Sequence, residues 1–146
     1  MIRRATLEDF ATIVVGGQCF WATTPYEAKG IAYNPEAVTN LLTELDNNHY
    51  LTVATEGGVI TGFLGLWIAP MLFNPDYTQA TELFFFVHPA HRGKGIGRDL
   101  HAQAETELSD EVDMISFGDL STSNDLDQYY ISRGFTQTER AYTRVL

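Results

Sequence analysis

The sequence predicts one α/β (α+β) domain over residues 1–146, built on a single mixed central sheet. Three observations carry this. β-rich segments at 49–55 and 59–68 flank a Glu56-Gly57-Gly58 turn, the pattern of an antiparallel hairpin. The apolar run Leu83-Phe84-Phe85-Phe86-Val87 is followed by a glycine-rich loop, a helical pattern and a strand pattern at 112–117, which reads as a strand–helix–strand crossover. No repeat, low-complexity tract or linker divides the 146 residues, a length that suits one domain.

Each element has its own signal. Residues 2–4 read as a short first strand. Thr6 caps a helix, with Asp9 as a weak capping-box partner. Phe10, Ile13 and Val14 repeat at helical spacing, and Gly16-Gly17 are expected to end or disturb that helix. The stretch 19–33 reads as irregular and aromatic. Asn34-Pro35-Glu36 starts a second helix, because Asn caps well, Pro suits the first turn and Glu favours the positive end. Its apolar stripe is Val38, Leu41, Leu42 and Leu45, and Asp46-Asn47-Asn48 stops it. Residues 69–79 read as a long, apolar loop. Residues 81–88 form the strongest strand, apolar enough to be buried on both faces, and Pro89 ends it. Ile96, Leu100, Ala104 and Leu108 mark one face of the next helix. A short helix is expected at 124–132, closed by Gly134, and one or two strands at 135–146.

Composition narrows the function classes. Nine Lys+Arg against nineteen Asp+Glu give a net charge of −10, which argues against general nucleic-acid binding and favours cationic partners. The one cysteine, Cys19, permits no internal disulfide and fits a reducing compartment. No apolar stretch reaches the roughly 18 residues of a membrane span, and no signal core follows the N-terminal arginines, so a cytoplasmic protein without membrane contact is expected. A homodimer stays open.

The chemistry concentrates in Val87-His88-Pro89-Ala90-His91-Arg92-Gly93-Lys94-Gly95-Ile96-Gly97. A buried strand stops, a glycine loop turns, and a helix begins near Gly95. Glycines let backbone approach a ligand, and the unpaired N–H groups at a helix start favour phosphate. Arg92, Lys94 and Arg98 add cations to a chain that has few. No Gly-Lys-Ser/Thr and no G-x-G-x-x-G is present, so two familiar nucleotide motifs are excluded. The plain alternative is a basic helix entry with turn glycines.

This segment resembles the signature of the GNAT superfamily of N-acyltransferases, Gln/Arg-x-x-Gly-x-Gly/Ala, filled by Arg92, Gly95 and Gly97. Ile2-Arg3-Arg4-Ala5-Thr6 with Glu8-Asp9 looks like the family's opening strand and helix, Glu82 to Pro89 like its fourth strand, and Tyr130-Ile131-Ser132-Arg133-Gly134-Phe135 like its late Tyr-x-x-x-Gly-Phe segment. The resemblance implies a mixed, mostly antiparallel sheet flanked by about four helices, with acetyl-CoA in a V-shaped opening between splayed strands. Its pyrophosphate would lie on the backbone of Gly93, Lys94, Gly95, Ile96, Gly97 and Arg98, beside Arg92. Its pantetheine arm would pair with the edge of Phe85, Phe86 and Val87. The family's asparagine, seven residues before the tyrosine, is Ser123 here; Asn124 follows and is carried as a cofactor contact.

Glu82 opens the apolar strand. Partial desolvation beside Phe84 and Phe86 would raise its pKa and suit a base near neutral pH; the alternative is a solvated strand-end carboxylate. Asp119 is the competing base, a position some family members use. By family spacing Tyr130 protonates the leaving thiolate, with Tyr129 beside it. His88 and His91 lack further ligands for a metal, so none is expected. Cys19 reads as a buried small hydrophobe. Tyr26, Tyr33 and the Met71/Leu72/Phe73/Tyr77 loop are expected to wall the acceptor side. The resulting expectation is direct acetyl transfer from acetyl-CoA to an amine such as a polyamine, an aminoglycoside or a lysine-rich protein. The alternative is a CoA- or acyl-CoA-binding module without turnover, acting as sensor or inhibitor.

Overall fold

The computed structural model describes residues 1–119 and 126–146. Five strands lie in the order β1-β2-β3-β4-β5: β1 (Ile2–Arg4), β2 (Tyr50–Glu56), β3 (Val59–Pro70), β4 (Thr78–Val87) and β5 (Met114–Ser116). The first four run antiparallel. β5 joins β4 in parallel, because helix α4 (Ile96–Leu108) carries the chain back across the sheet. Helices α1 (Phe10–Trp21) and α3 (Pro35–Asn48) cover one face, with short α2 (Pro25–Ala28) between them in sequence. Helix α5 (Asp127–Ser132) lies beyond β5 in the chain.

The sheet separates two cores. Ile13, Leu42, Leu45, Phe63, Phe84 and Phe86 pack on the α1/α3 side. Leu64, Leu66, Ala80, Leu100, Ala104 and Leu108 pack on the α4 side. The continuous apolar run of β4 follows from this, since successive residues enter opposite cores.

The entry to α1 is tied by charge. The Asp9 carboxylate accepts from the Thr6 backbone N–H at 2.8 Å and from both Arg3 guanidinium nitrogens at 2.7 and 2.8 Å. Asp9 is buried, and the Arg3 hydrogen bond holds its pKa down at about 2. Asp9→Asn should therefore cost about 1–2 kcal/mol, since Arg3 is only partly shielded from water. The depressed pKa stabilises the fold above the ordinary aspartate range, and this advantage fades as pH falls towards 2. Thermal unfolding at pH 7 and pH 2 measures it: the gap between wild type and variant should close at low pH.

Several elements depart from the sequence reading. Gly16-Gly17 do not end α1. A Cβ at Gly16 would stand 2.7 Å from the Phe63 ring, and one at Gly17 would stand 2.5 Å from the Tyr33 hydroxyl. These glycines admit close neighbours rather than a turn. The segment 19–33 includes the last turn of α1 and all of α2. β3 and β4 extend into the expected long loop and shorten it to 71–77. No strand forms at 135–146. Tyr142 and Leu146 there are exposed, so these two side chains pack into neither core.

Candidate active site

The site arises where β4 and β5 part. Their register covers only Gln79↔Met114, Ala80↔Ile115 and Thr81↔Ser116, while β4 runs on to Val87. A bulge shapes the freed edge: Leu66 pairs with Glu82 and Gly65 with Phe84, leaving Leu83 as the extra residue. The bulge resets the alternation, so Glu82 shares the face of Ala80, Phe85 and Val87. An open cleft of about 490 Å³ forms there, lined by Glu82, Phe85 and Val87 with Gly118 and Asp119.

The other end of the cleft is the glycine loop. Residues Pro89–His91 make a single 3-10 turn after β4. Gly93 and Gly95 adopt φ of +76° and +83°, conformations that favour glycine. Gly97 lets α4 settle on β4, since a Cβ there would meet the Phe85 ring at 2.8 Å. The first helical bond runs from the Asp99 N–H to the Gly95 carbonyl at 3.0 Å, so the N–H groups of Ile96, Gly97 and Arg98 precede the intrahelical ladder.

The expected cations divide. Arg92 lines the cleft, and its Nε donates to the Val87 carbonyl at 3.0 Å. Lys94 stands 3.6 Å from Glu56, and Arg98 bonds Asp99 at 2.9 Å. Both pairs are exposed and contribute little to stability. The Phe86 ring turns to the opposite core, 5.2 Å from Phe63, while Phe85 faces α4. Asn124 lies outside the described residues.

Among the described residues Glu82 is the most perturbed acid. Its Oε2 is buried with no hydrogen-bond partner, and burial raises the pKa to about 8. The Gly118 N–H opposes that rise, and the Asp119 charge adds to it. Asp119 itself accepts weakly from the Leu126 N–H at 3.4 Å. The Tyr130 hydroxyl donates to the Gly118 carbonyl at 3.3 Å. Burial, and then Glu82, push its pKa far above the ordinary phenol value. Thus Glu82, Asp119 and Tyr130 do come together, around Gly118.

His101 escaped the sequence reading, and Tyr129, named there only as the neighbour of Tyr130, has a place of its own in the site. Tyr129 lines the cleft, and its hydroxyl accepts from Arg133 at 2.7 Å. It also lies 3.2 Å from Nδ1 of His101. His101 is buried between Phe85 and Phe117, and burial lowers its pKa to about 4. The available signal was its place in the α4 stripe, one residue after Leu100 and three before Ala104.

Other expectations are corrected. The wall residues from the first expected loop are Phe20 and Thr23; Tyr26 stacks on Trp21, and the Tyr33 hydroxyl donates to the Val14 carbonyl. The 71–77 loop does not reach the cleft: Leu72 and Phe73 are 89% and 95% exposed at the far end of β4. Cys19 is exposed rather than buried. His91 approaches Glu56 at 3.0 Å, and among the described residues no group of His, Cys, Asp or Glu is arranged for a metal. No described helix is long and apolar enough to cross a membrane.

The Acetyltransferase (GNAT) family model matches residues 18–135, a span that holds the glycine loop, the splayed strands and the Tyr130 segment. The chain belongs to the GNAT acetyltransferase family. Solved structures share its fold from end to end. A transcriptional regulator from Bacillus halodurans C-125 is 24% identical with a TM-score of 0.79, covering 100% of this chain and 99% of its own. A ribosomal-protein-alanine N-acetyltransferase from Brucella melitensis biovar Abortus 2308 is 16% identical with a TM-score of 0.72, over 100% and 99% of the two chains. An aminoglycoside acetyltransferase from an uncultured soil metagenomic sample, in complex with sisomicin, is 18% identical with a TM-score of 0.69, over 100% and 96%. No curated protein matches the chain. The acyl donor of GNAT enzymes is acetyl-CoA, and this GNAT loop suits its pyrophosphate. A Cβ at Gly93 would meet nothing within 4 Å, so the loop's outer side is clear for a ligand.

Proposed function

We propose that this GNAT chain moves the acetyl group of acetyl-CoA directly to a primary amine. The observation that carries the reading is Glu82, a carboxyl with a pKa of about 8, in the same cleft as the glycine loop. A base is most effective when its pKa lies near the working pH.

In this reading the pyrophosphate rests on the backbone of 93–98, with Arg92 beside it. The pantetheine arm follows the freed edge of Phe85, Phe86 and Val87. Ionised Glu82 takes a proton from the acceptor ammonium. The neutral nitrogen attacks the thioester carbonyl, whose oxygen is polarised by backbone N–H near Val87. The new C–N bond forms and the C–S bond breaks, and the second proton that the nitrogen sheds on becoming an amide restores Tyr130 after its hydroxyl has protonated the thiolate. Tyr130, which burial keeps protonated, supplies the proton that leaves CoA as its thiol. Asp119 raises the Glu82 pKa and competes for the role of base.

Gly95→Asp tests the loop. It forces a side chain into a left-handed conformation and places a negative charge where pyrophosphate approaches. Acetyl-CoA affinity should fall more than tenfold, about 1.4 kcal/mol, in calorimetric titration of folded protein. Unchanged affinity contradicts the loop assignment. A thiol-release assay over a panel of amines then separates transfer from mere binding.

A further inference from the structure

Side chains one helical turn apart join α4 to α5. His101 and Glu105 share a face of α4, while Tyr129 lies in α5 and Arg133 directly follows that helix. The Arg133 guanidinium bonds Glu105 through Nη2 and donates through Nη1 to the Tyr129 oxygen at 2.7 Å. Nδ1 of His101 stands 3.2 Å from the same oxygen. Tyr129 is thus held from two sides while it lines the cleft. Tyr130 beside it gives its O–H to the Gly118 carbonyl.

The direction of the His101 bond follows from the other ring nitrogen. His101 is buried between Phe85 and Phe117, with ring centroids 4.5 and 4.1 Å away. Burial, then the Arg133 charge, lower its pKa to about 4, so the ring is neutral at pH 7 and carries one N–H. Nε2 is buried and has no partner among the described residues. One nitrogen therefore stays unpaired in either tautomer, and proteins tolerate an unpaired buried acceptor better than an unpaired buried N–H. The proton belongs on Nδ1, where it finds the Tyr129 oxygen. Arg133 can only donate, because a guanidinium offers no lone pair. The Tyr129 oxygen then receives two N–H bonds, and its own O–H must point elsewhere.

Resting on the transfer reading, we propose that His101 is a positioning residue: with Arg133 it turns the Tyr129 O–H into the cleft, to hydrogen-bond the sulfur of the departing CoA thiolate. Two donors on one oxygen polarise its O–H, and the bond strengthens as negative charge gathers on sulfur. Tyr129 keeps its own proton throughout; the proton that completes the thiol comes from Tyr130.

Nitrogen-15 NMR of histidine-labelled protein at pH 7 tests the geometry without any ligand. His101, identified as the ring whose signals move in Tyr129→Phe, should be neutral with its proton on Nδ1. Kinetics test the role. Tyr129→Phe and His101→Phe, the latter judged on protein that unfolds cooperatively, should each lower kcat about tenfold, the scale of one hydrogen bond made only in the transition state. KM for acetyl-CoA should not change. The double variant should be no slower than Tyr129→Phe alone, because His101 acts only through that hydroxyl; a merely structural role would make the losses multiply. A proton on Nε2, multiplying losses, or single variants with wild-type kcat each overturn the proposal and leave wild-type transfer standing. Wild-type protein that binds acetyl-CoA and acetylates no amine overturns the transfer reading, and the role given to Tyr129 with it.

Discussion

Glu82→Gln is expected to lower kcat/KM by about 10²–10⁴-fold between pH 7 and 8, the range for loss of a positioned base. The deficit should shrink towards pH 10, where the acceptor amine sheds its own proton; a lysine-like amine does so near 10.4. In wild type, activity should rise as pH passes through about 8, because the ionised carboxylate is the active form. Stability gives an independent check with the opposite sign. A carboxyl whose pKa is raised on folding stabilises the fold fully below the ordinary glutamate value, near 4.3, and this contribution is lost as pH rises through about 8. Glutamine carries no charge to bury. The variant should therefore unfold later than wild type at pH 9, by on the order of 2 kcal/mol. A less active but more stable protein excludes misfolding as the cause. Asp119→Asn separates the two candidate bases. If Glu82 is the base, removing the Asp119 charge lowers the Glu82 pKa and moves the rising limb to lower pH with little loss of maximal rate. A severe loss instead assigns the base to Asp119.

Tyr130→Phe is expected to reduce kcat by roughly 10²-fold or more while leaving acetyl-CoA affinity within a few-fold. The change removes one hydroxyl and its bond to the Gly118 carbonyl, a loss of about 1 kcal/mol. The ring keeps its place among Phe117, His101 and Phe135. Because burial holds the phenol protonated, no pH limb below 10 should disappear with it. Tyr129→Phe is the necessary companion, since that hydroxyl also lies at the cleft. If kcat falls in Tyr129→Phe and not in Tyr130→Phe, the proton comes from Tyr129.

Local signals explain why much of this was readable from sequence. Asn34 caps α3 through the Ala37 N–H, as short polar caps do wherever a helix begins. The run into Gly93, Gly95 and Gly97 shows where a buried strand turns into a helix. Glu82 could be singled out as a carboxylate beside phenylalanines. What remained hidden depends on distant partners. The bulge at Leu83 has no mark in the sequence, yet it brings Phe85 and Val87 onto the same face as Glu82. Gly16-Gly17 looked like a helix end because their neighbours, Phe63 and Tyr33, are far along the chain. The apolar 71–77 loop looked like a wall because hydropathy does not tell which end of β4 is open. Residues 135–146 are expected to add one or two strands, but pairing needs a partner, and β5 is only Met114–Ser116. His101 in the α4 stripe gave the one sequence hint of the Tyr129–Arg133 network.

The central claim is that the cleft transfers an acetyl group rather than only holding its donor. The most direct measurement is mass spectrometry of a panel of primary amines, small-molecule and peptide, after incubation at pH 8 with acetyl-CoA and either wild-type protein or Glu82→Gln. The account predicts the mass of one added acetyl group on the amine, released thiol in equal amount, and a rate lowered at least a hundredfold in the variant. Acetyl-CoA held by folded protein with its thioester intact and the amine unmodified would contradict it.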